Sequence, residues 1–156
     1  MREVLNNAAD GEPVLIMTDD AITIPGWRTK WEEIHSRAQN DVYTLFGRQK
    51  HLFTPENIAR GYVTKCQLRG FYDQAAIYIN KRGLMDDILT WFSRGGCNLP
   101  RVKNRQNHLD VVIQEYFLYH NKPWTITTPT IFDHQAVKST MGHAVGGSPC
   151  YIGNPQ

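Results

Sequence analysis

The chain has little of what marks the commoner protein classes. Only three cysteines occur in 156 residues, Cys66, Cys97 and Cys150. They are widely spaced, odd in number and form no CxxC pair, which argues against a disulfide framework or a thiolate zinc site and suits reduced thiols in a cytosolic protein. Long apolar runs are missing too. Val14-Leu15-Ile16-Met17 is far too short to span a membrane, and Met1-Arg2-Glu3-Val4 lacks the apolar core of a signal peptide. The expectation is a cytoplasmic protein with no membrane span. Neither sign of charge dominates: 17 Lys and Arg stand against 15 Asp and Glu, so any case for nucleic acid rests on local clusters. There is no GxGxxG, P-loop, HExxH or GxSxG, which removes the usual support for nucleotide hydrolysis, zinc proteolysis and α/β-hydrolase chemistry. No repeat or linker divides the chain.

Apolar residues, 41% of the total, suffice for one core. A single domain over 1–156 is expected, with 134–156, rich in Gly, Ser and Pro, as an irregular tail. Residues 2–9 predict a short opening helix. Pro13 to Thr18 reads as a strand apolar on both faces, hence buried in the middle of a sheet. Trp27, Trp31 and Ile34 recur at helical spacing over 27–38. Residues 42–46 read as a second strand, 47–60 as a long polar surface loop, 62–68 as an edge strand and 75–79 as another buried strand. A helix follows over 81–93, with Leu84, Ile88 and Phe92 on one face. A second begins near His108, with Leu109, Val112, Ile113, Tyr116 and Phe117 on one face and Asn107 as N-cap. Short strands around Pro129 complete an α/β fold with a mixed sheet flanked by helices.

Four features carry candidate chemistry. Asp19-Asp20 leaves a buried strand at its carboxyl end, where open α/β sheets place ligands; the pair either supplies hard oxygen ligands to a divalent ion or simply suits a turn. Asp110 opens a helix, where an acid also interacts favourably with the helix dipole. His134 follows a short strand and is either a ligand or an ordinary surface histidine. Arg94, Arg101, Lys103 and Arg105 lie in a loop with Gly95-Gly96, able to hold a pyrophosphate or to remain a solvated loop.

Their order along the chain is more specific than any one of them. Val14 to Ile22, then Pro-Gly and an amphipathic helix, resembles the "LEDDA" segment of GT-A glycosyltransferases, closest to the bacterial and phage enzymes related to the lipopolysaccharide glycosyltransferases. Asp41-Val42-Tyr43-Thr44-Leu45 is similar to the strand that follows in those enzymes, and Gly70 to Ile79 leading into 81–89 to a later strand–helix segment. His108-Leu109-Asp110 with Asn121-Lys122-Pro123-Trp124 resembles their acceptor-side helix, and Pro129 to Gln135 with Ser139-Thr140 their closing segment. The resemblance spans roughly residues 13–142. It departs at Thr18, where a glutamate is usual, and at Gln135-Ala136, where a glycine is expected. No counterpart of the family's first strand–helix–strand unit precedes Pro13.

The resemblance implies a reduced GT-A-like fold and transfer of a sugar from a nucleotide-sugar donor to a hydroxyl acceptor, a glycan or modified DNA. It implies a divalent ion, Mn2+ or Mg2+, held by Asp20 and His134, with Asp19 supporting the metal or the ribose and Asp110 as the base of an inverting reaction. Arg101, Lys103 and Arg105 would bind the donor diphosphate. The competing reading is a non-catalytic GT-A remnant kept as a binding or structural subunit. A sheet without its first strands also leads one to expect a homo-oligomer or a partner chain along its open edge.

Overall fold

The computed structural model describes residues 11–18, 21–47, 49–66, 76–96 and 109–134. Among these, seven strands and four helices form a mixed α/β fold. The strands are β1 (Val14–Met17), β2 (Ala21–Thr23), β3 (Val42–Thr44), β4 (Tyr62–Lys65), β5 (Ala76–Ile79), β6 (Trp124–Thr127) and β7 (Phe132–His134). The helices are α1 (Trp27–Ala38), α2 (Pro55–Arg60), α3 (Arg82–Ser93) and α4 (Leu109–Tyr119). Five strands make one sheet in the order β1-β5-β3-β6-β4, and β2 and β7 pair separately. Only β3 and β6 run parallel; the other pairs are antiparallel. The expected mixed sheet flanked by helices is therefore what the chain forms. No described helix is long and apolar enough to cross a membrane.

Side-chain alternation along the strands divides the core in two. Val42, Ile77, Ile79 and Ile126 face α3 and α4, joining Met85, Ile88, Val112, Ile113 and Phe117. Tyr43, Ala76 and Tyr78 face α1 and pack with Trp31, Leu45 and Phe132. The result is three layers, helix–sheet–helix.

Three expectations need correcting. Among the described residues β1 is not central: it pairs with β5 and stands at the end of the sheet. Val14 and Ile16 join one core and Leu15 the other, so both faces carry apolar residues as their composition requires. Hydrophobicity reports faces, whereas edge position depends on hydrogen-bonding partners that it does not encode. Segment 47–60 is not a loop. It holds a 3-10 turn at Lys50–Leu52 and helix α2, whose N-cap Thr54 accepts a hydrogen bond from the Asn57 N–H at 3.3 Å, with Pro55 at the first helical position. Gly61 closes α2 at φ 88°, a left-handed conformation that favours glycine. Thr54-Pro55 and Gly61 were start and stop signals in the sequence. Helix α4, thirdly, is not amphipathic: every residue from Leu109 to Phe117 is buried, including Asp110, Gln114 and Glu115. The predicted opening helix over 2–9 lies outside the described residues, as does the tail beyond His134, which itself ends β7.

A half-buried aromatic group ties α1 to the sheet. His35 stacks on Trp31, ring centroids 5.0 Å apart, and its Nδ1 lies 2.9 Å from the Tyr43 hydroxyl, which also accepts the Asn40 N–H at 2.7 Å. The tautomer of the imidazole sets which of Nδ1 and the Tyr43 hydroxyl donates in this contact. Burial lowers the His35 pKa below its ordinary value. Below about pH 6.5 the unfolded chain therefore binds this proton more readily than the folded one, so stability is full above that pH and falls as the pH drops through it. Urea midpoints at about pH 7.5 and 5.5 should fall in the parent and change less in His35→Gln. Equal changes in both would show that His35 does not control this pH dependence.

Candidate functional site

Register fixes which ends of the strands share a rim. Met17 of β1 pairs with Ala76 of β5, and Thr44 of β3 with Ile77. Thr44 also pairs with Ile126 of the parallel β6. The carboxyl ends of β1, β3 and β6 therefore lie along one edge of the sheet. Open α/β sheets bind ligands at such edges.

Helix α4, which opens with Leu109 and Asp110, packs on the face of the sheet that carries Val42, Ile77 and Ile126. Its carboxyl end is joined to β6 by a tight turn, in which the Lys122 N–H donates to the Phe117 carbonyl at 2.9 Å, and Phe117 packs against Trp124 at the start of β6. Asp110, in the first turn of α4, is only 7% exposed, and its Oδ1 accepts the Val111 N–H at 2.8 Å.

The β2–β7 pair is stitched to the same edge. The N–H groups of Ile131 and Phe132 donate to the Leu45 carbonyl just past β3, at 3.2 and 3.1 Å, and the Ile24 N–H donates to the Ile131 carbonyl at 3.3 Å. The register pairs Ala21 with His134, Ile22 with Asp133 and Thr23 with Phe132. His134, placed here by its backbone, thus lies across from the residue that directly follows Asp20 in sequence. Asp19, Asp20, Arg101, Lys103 and Arg105 lie outside the described residues.

Two further observations mark this rim, and neither was read from the sequence. Asp133 is 1% exposed. Asp110, Glu115 and Asp133 are the buried carboxylates among the described residues, a residue class seldom buried unless paired, and all three have interaction partners; Asp133, on β7, is the one the strand pairing places at this rim. Asp133 follows apolar Ile131-Phe132 and precedes His134, which was the available signal. The second observation is a set of buried hydroxyls. Thr18, Thr44, Thr127 and Thr130 each bury an Oγ1 with no hydrogen-bond partner. Thr18 follows β1, Thr44 ends β3, Thr127 ends β6 and Thr130 leads into β7. Within the sheet, by contrast, Thr125 is satisfied by Asn40 Nδ2 at 2.6 Å and by Thr64 at 2.8 Å. A buried hydroxyl unmet by water or ligand costs about 1–3 kcal/mol, and three of the four lie at the carboxyl ends of β1, β3 and β6.

The donor set is oxygen with one imidazole, which fits a hard divalent ion and not a thiolate-bound zinc. No group of three or more His, Cys, Asp or Glu able to hold a metal occurs among the described residues; the two aspartates implied in metal binding lie outside them. No family model, curated protein or solved structure matches the chain.

Proposed function

We propose that the protein is a metal-dependent glycosyltransferase that moves a sugar from a nucleotide-sugar donor to a hydroxyl acceptor, a glycan or modified DNA. The observation that carries this reading is the pairing of Ala21 with His134. It sets the backbone of His134 opposite Ala21, the residue that follows Asp20 in sequence.

In this reading Asp20 and His134 would hold Mn2+ or Mg2+, which when bound supplies positive charge to the leaving diphosphate. Asp19 supports the metal or the ribose. Asp110 takes the proton of the acceptor hydroxyl as its oxygen bonds to the anomeric carbon and the bond from that carbon to the diphosphate oxygen breaks. Burial of Asp110 favours this role, because a carboxylate shielded from bulk water interacts more strongly with a bound hydroxyl. Arg101, Lys103 and Arg105 neutralise the departing diphosphate.

Incubation with a panel of nucleotide sugars and manganese should release nucleoside diphosphate from at least one donor, and chelation should stop the release. No release and no donor binding across the panel would overturn the reading and favour a non-catalytic remnant.

A further inference from the structure

At the far end of α4 from Asp110, a cleft of about 460 Å3 opens between α3 and α4. Tyr116, Tyr119 and His120 stand six, nine and ten positions beyond Asp110, about 9–15 Å along the helix axis, so the cleft is separate from Asp110. Its walls are two helical stripes. Asp87, Thr90, Trp91 and Arg94 recur at i, i+3, i+4 and i+7 along α3 and its C-cap, and the three α4 residues recur at i, i+3 and i+4.

The rings pack against one another, with Tyr116 buried in the core and Tyr119 exposed. Trp91 meets Tyr116 edge-on at 5.6 Å and Tyr119 at 5.7 Å, and Tyr116 lies 4.4 Å from His120. The turn after α3 folds onto the indole, with the Gly96 N–H donating to the Trp91 carbonyl at 3.0 Å; a side chain at Gly96 would overlap the indole. Despite this packing, Tyr119 remains 72% exposed. Asp87, Thr90, Arg94 and His120 are exposed as well.

We propose that this cleft binds a neutral carbohydrate, one or two sugar rings of an oligosaccharide. A pyranose has an apolar C–H face and a rim of hydroxyls, each both donor and acceptor. The exposed Tyr119 ring takes the apolar face. Around it Asp87 can only accept hydrogen bonds, Arg94 can only donate, and Thr90 and His120 can do either, which is the complement of a polyol rim. An apolar peptide would leave Asp87 and Arg94 unused. A nucleic-acid strand also stacks on aromatic rings, but its phosphates need a basic groove; here, among the described residues, Arg94 and Lys122, whose Nζ lies 5.5 Å from the Tyr116 ring, are the two cations and the Asp87 carboxylate offsets one of them, so oligo(dT) is the competing outcome of the test. The size lies within the range of about 300–1,000 Å3 usual for small-molecule sites. The site is independent of the transfer reaction, because binding here needs neither metal nor nucleotide.

The test is calorimetric titration of the full chain, without metal, with maltohexaose, cellohexaose and chitohexaose, and with a ten-nucleotide oligo(dT). At least one neutral oligosaccharide should bind and change tryptophan fluorescence. Tyr119→Ala and Asp87→Asn, both at exposed side chains, should weaken that binding by about tenfold each while leaving the melting temperature and donor hydrolysis unchanged. Failure of all three sugars to bind, or binding that survives both substitutions, would overturn the proposal. So would tighter binding of oligo(dT) that depends on Tyr119.

Discussion

Replacing either Asp20 or His134 by alanine should weaken manganese-dependent donor binding by about tenfold or more, and the double replacement should be little worse than each single one. The geometry behind this is short. Ala21 and His134 are antiparallel partners, and such partners have Cα atoms about 4.5–5.5 Å apart. Asp20 is one peptide earlier, about 3.8 Å from Ala21. In the proposed site Asp20 and His134 would each bind the common ion through a bond of about 2.0–2.6 Å. Two ligands of one ion act as a unit: losing either releases the ion, so losing the second costs little more. Isothermal titration with donor, with and without manganese, reads the effect. Additive losses, or losses equal with and without manganese, would mean that the two residues do not share an ion.

How far this site was legible in the sequence depends on the kind of information each residue carries. Trp31 and Ile34 announced the buried face of α1 because helical periodicity is written directly in the spacing, and both are buried. Ala76 to Ile79 announced a buried strand in the same way. Strand order was not legible. Nothing in Val14 to Met17 says that β1 ends the sheet, since pairing partners are chosen by the whole chain. Helix α2 was legible but missed, because polar residues outweighed the cap signals at Thr54 and Gly61. The burial of Asp110, Gln114 and Glu115 could not be read at all: a polar residue at a helical position looks solvated until the elements packed around it are known. The register of Ala21 on His134 is likewise a product of tertiary structure, joining segments that no local pattern links.

The largest effect on turnover is expected from Asp110→Asn. Asparagine has nearly the shape of aspartate and keeps an Oδ1 able to accept the Val111 N–H, now bonded at 2.8 Å, so the first turn of α4 should persist. What is lost is the capacity to take a proton. If Asp110 is the base, turnover at saturating donor should fall by about a hundredfold or more, while the donor dissociation constant stays as in the parent. A residue that serves only the helix dipole behaves differently: its neutralisation costs about 0.3–1 kcal/mol of stability and leaves the reaction alone. Melting temperature, donor affinity and turnover, measured on the same preparation, separate the two roles. The burial of Asp110 sharpens the contrast, since an exposed acid at a helix start has solvent to replace it, whereas a carboxylate 7% exposed has only its immediate neighbours and the acceptor hydroxyl. Equal turnover in variant and parent would remove Asp110 from the reaction and leave it as a buried structural acid.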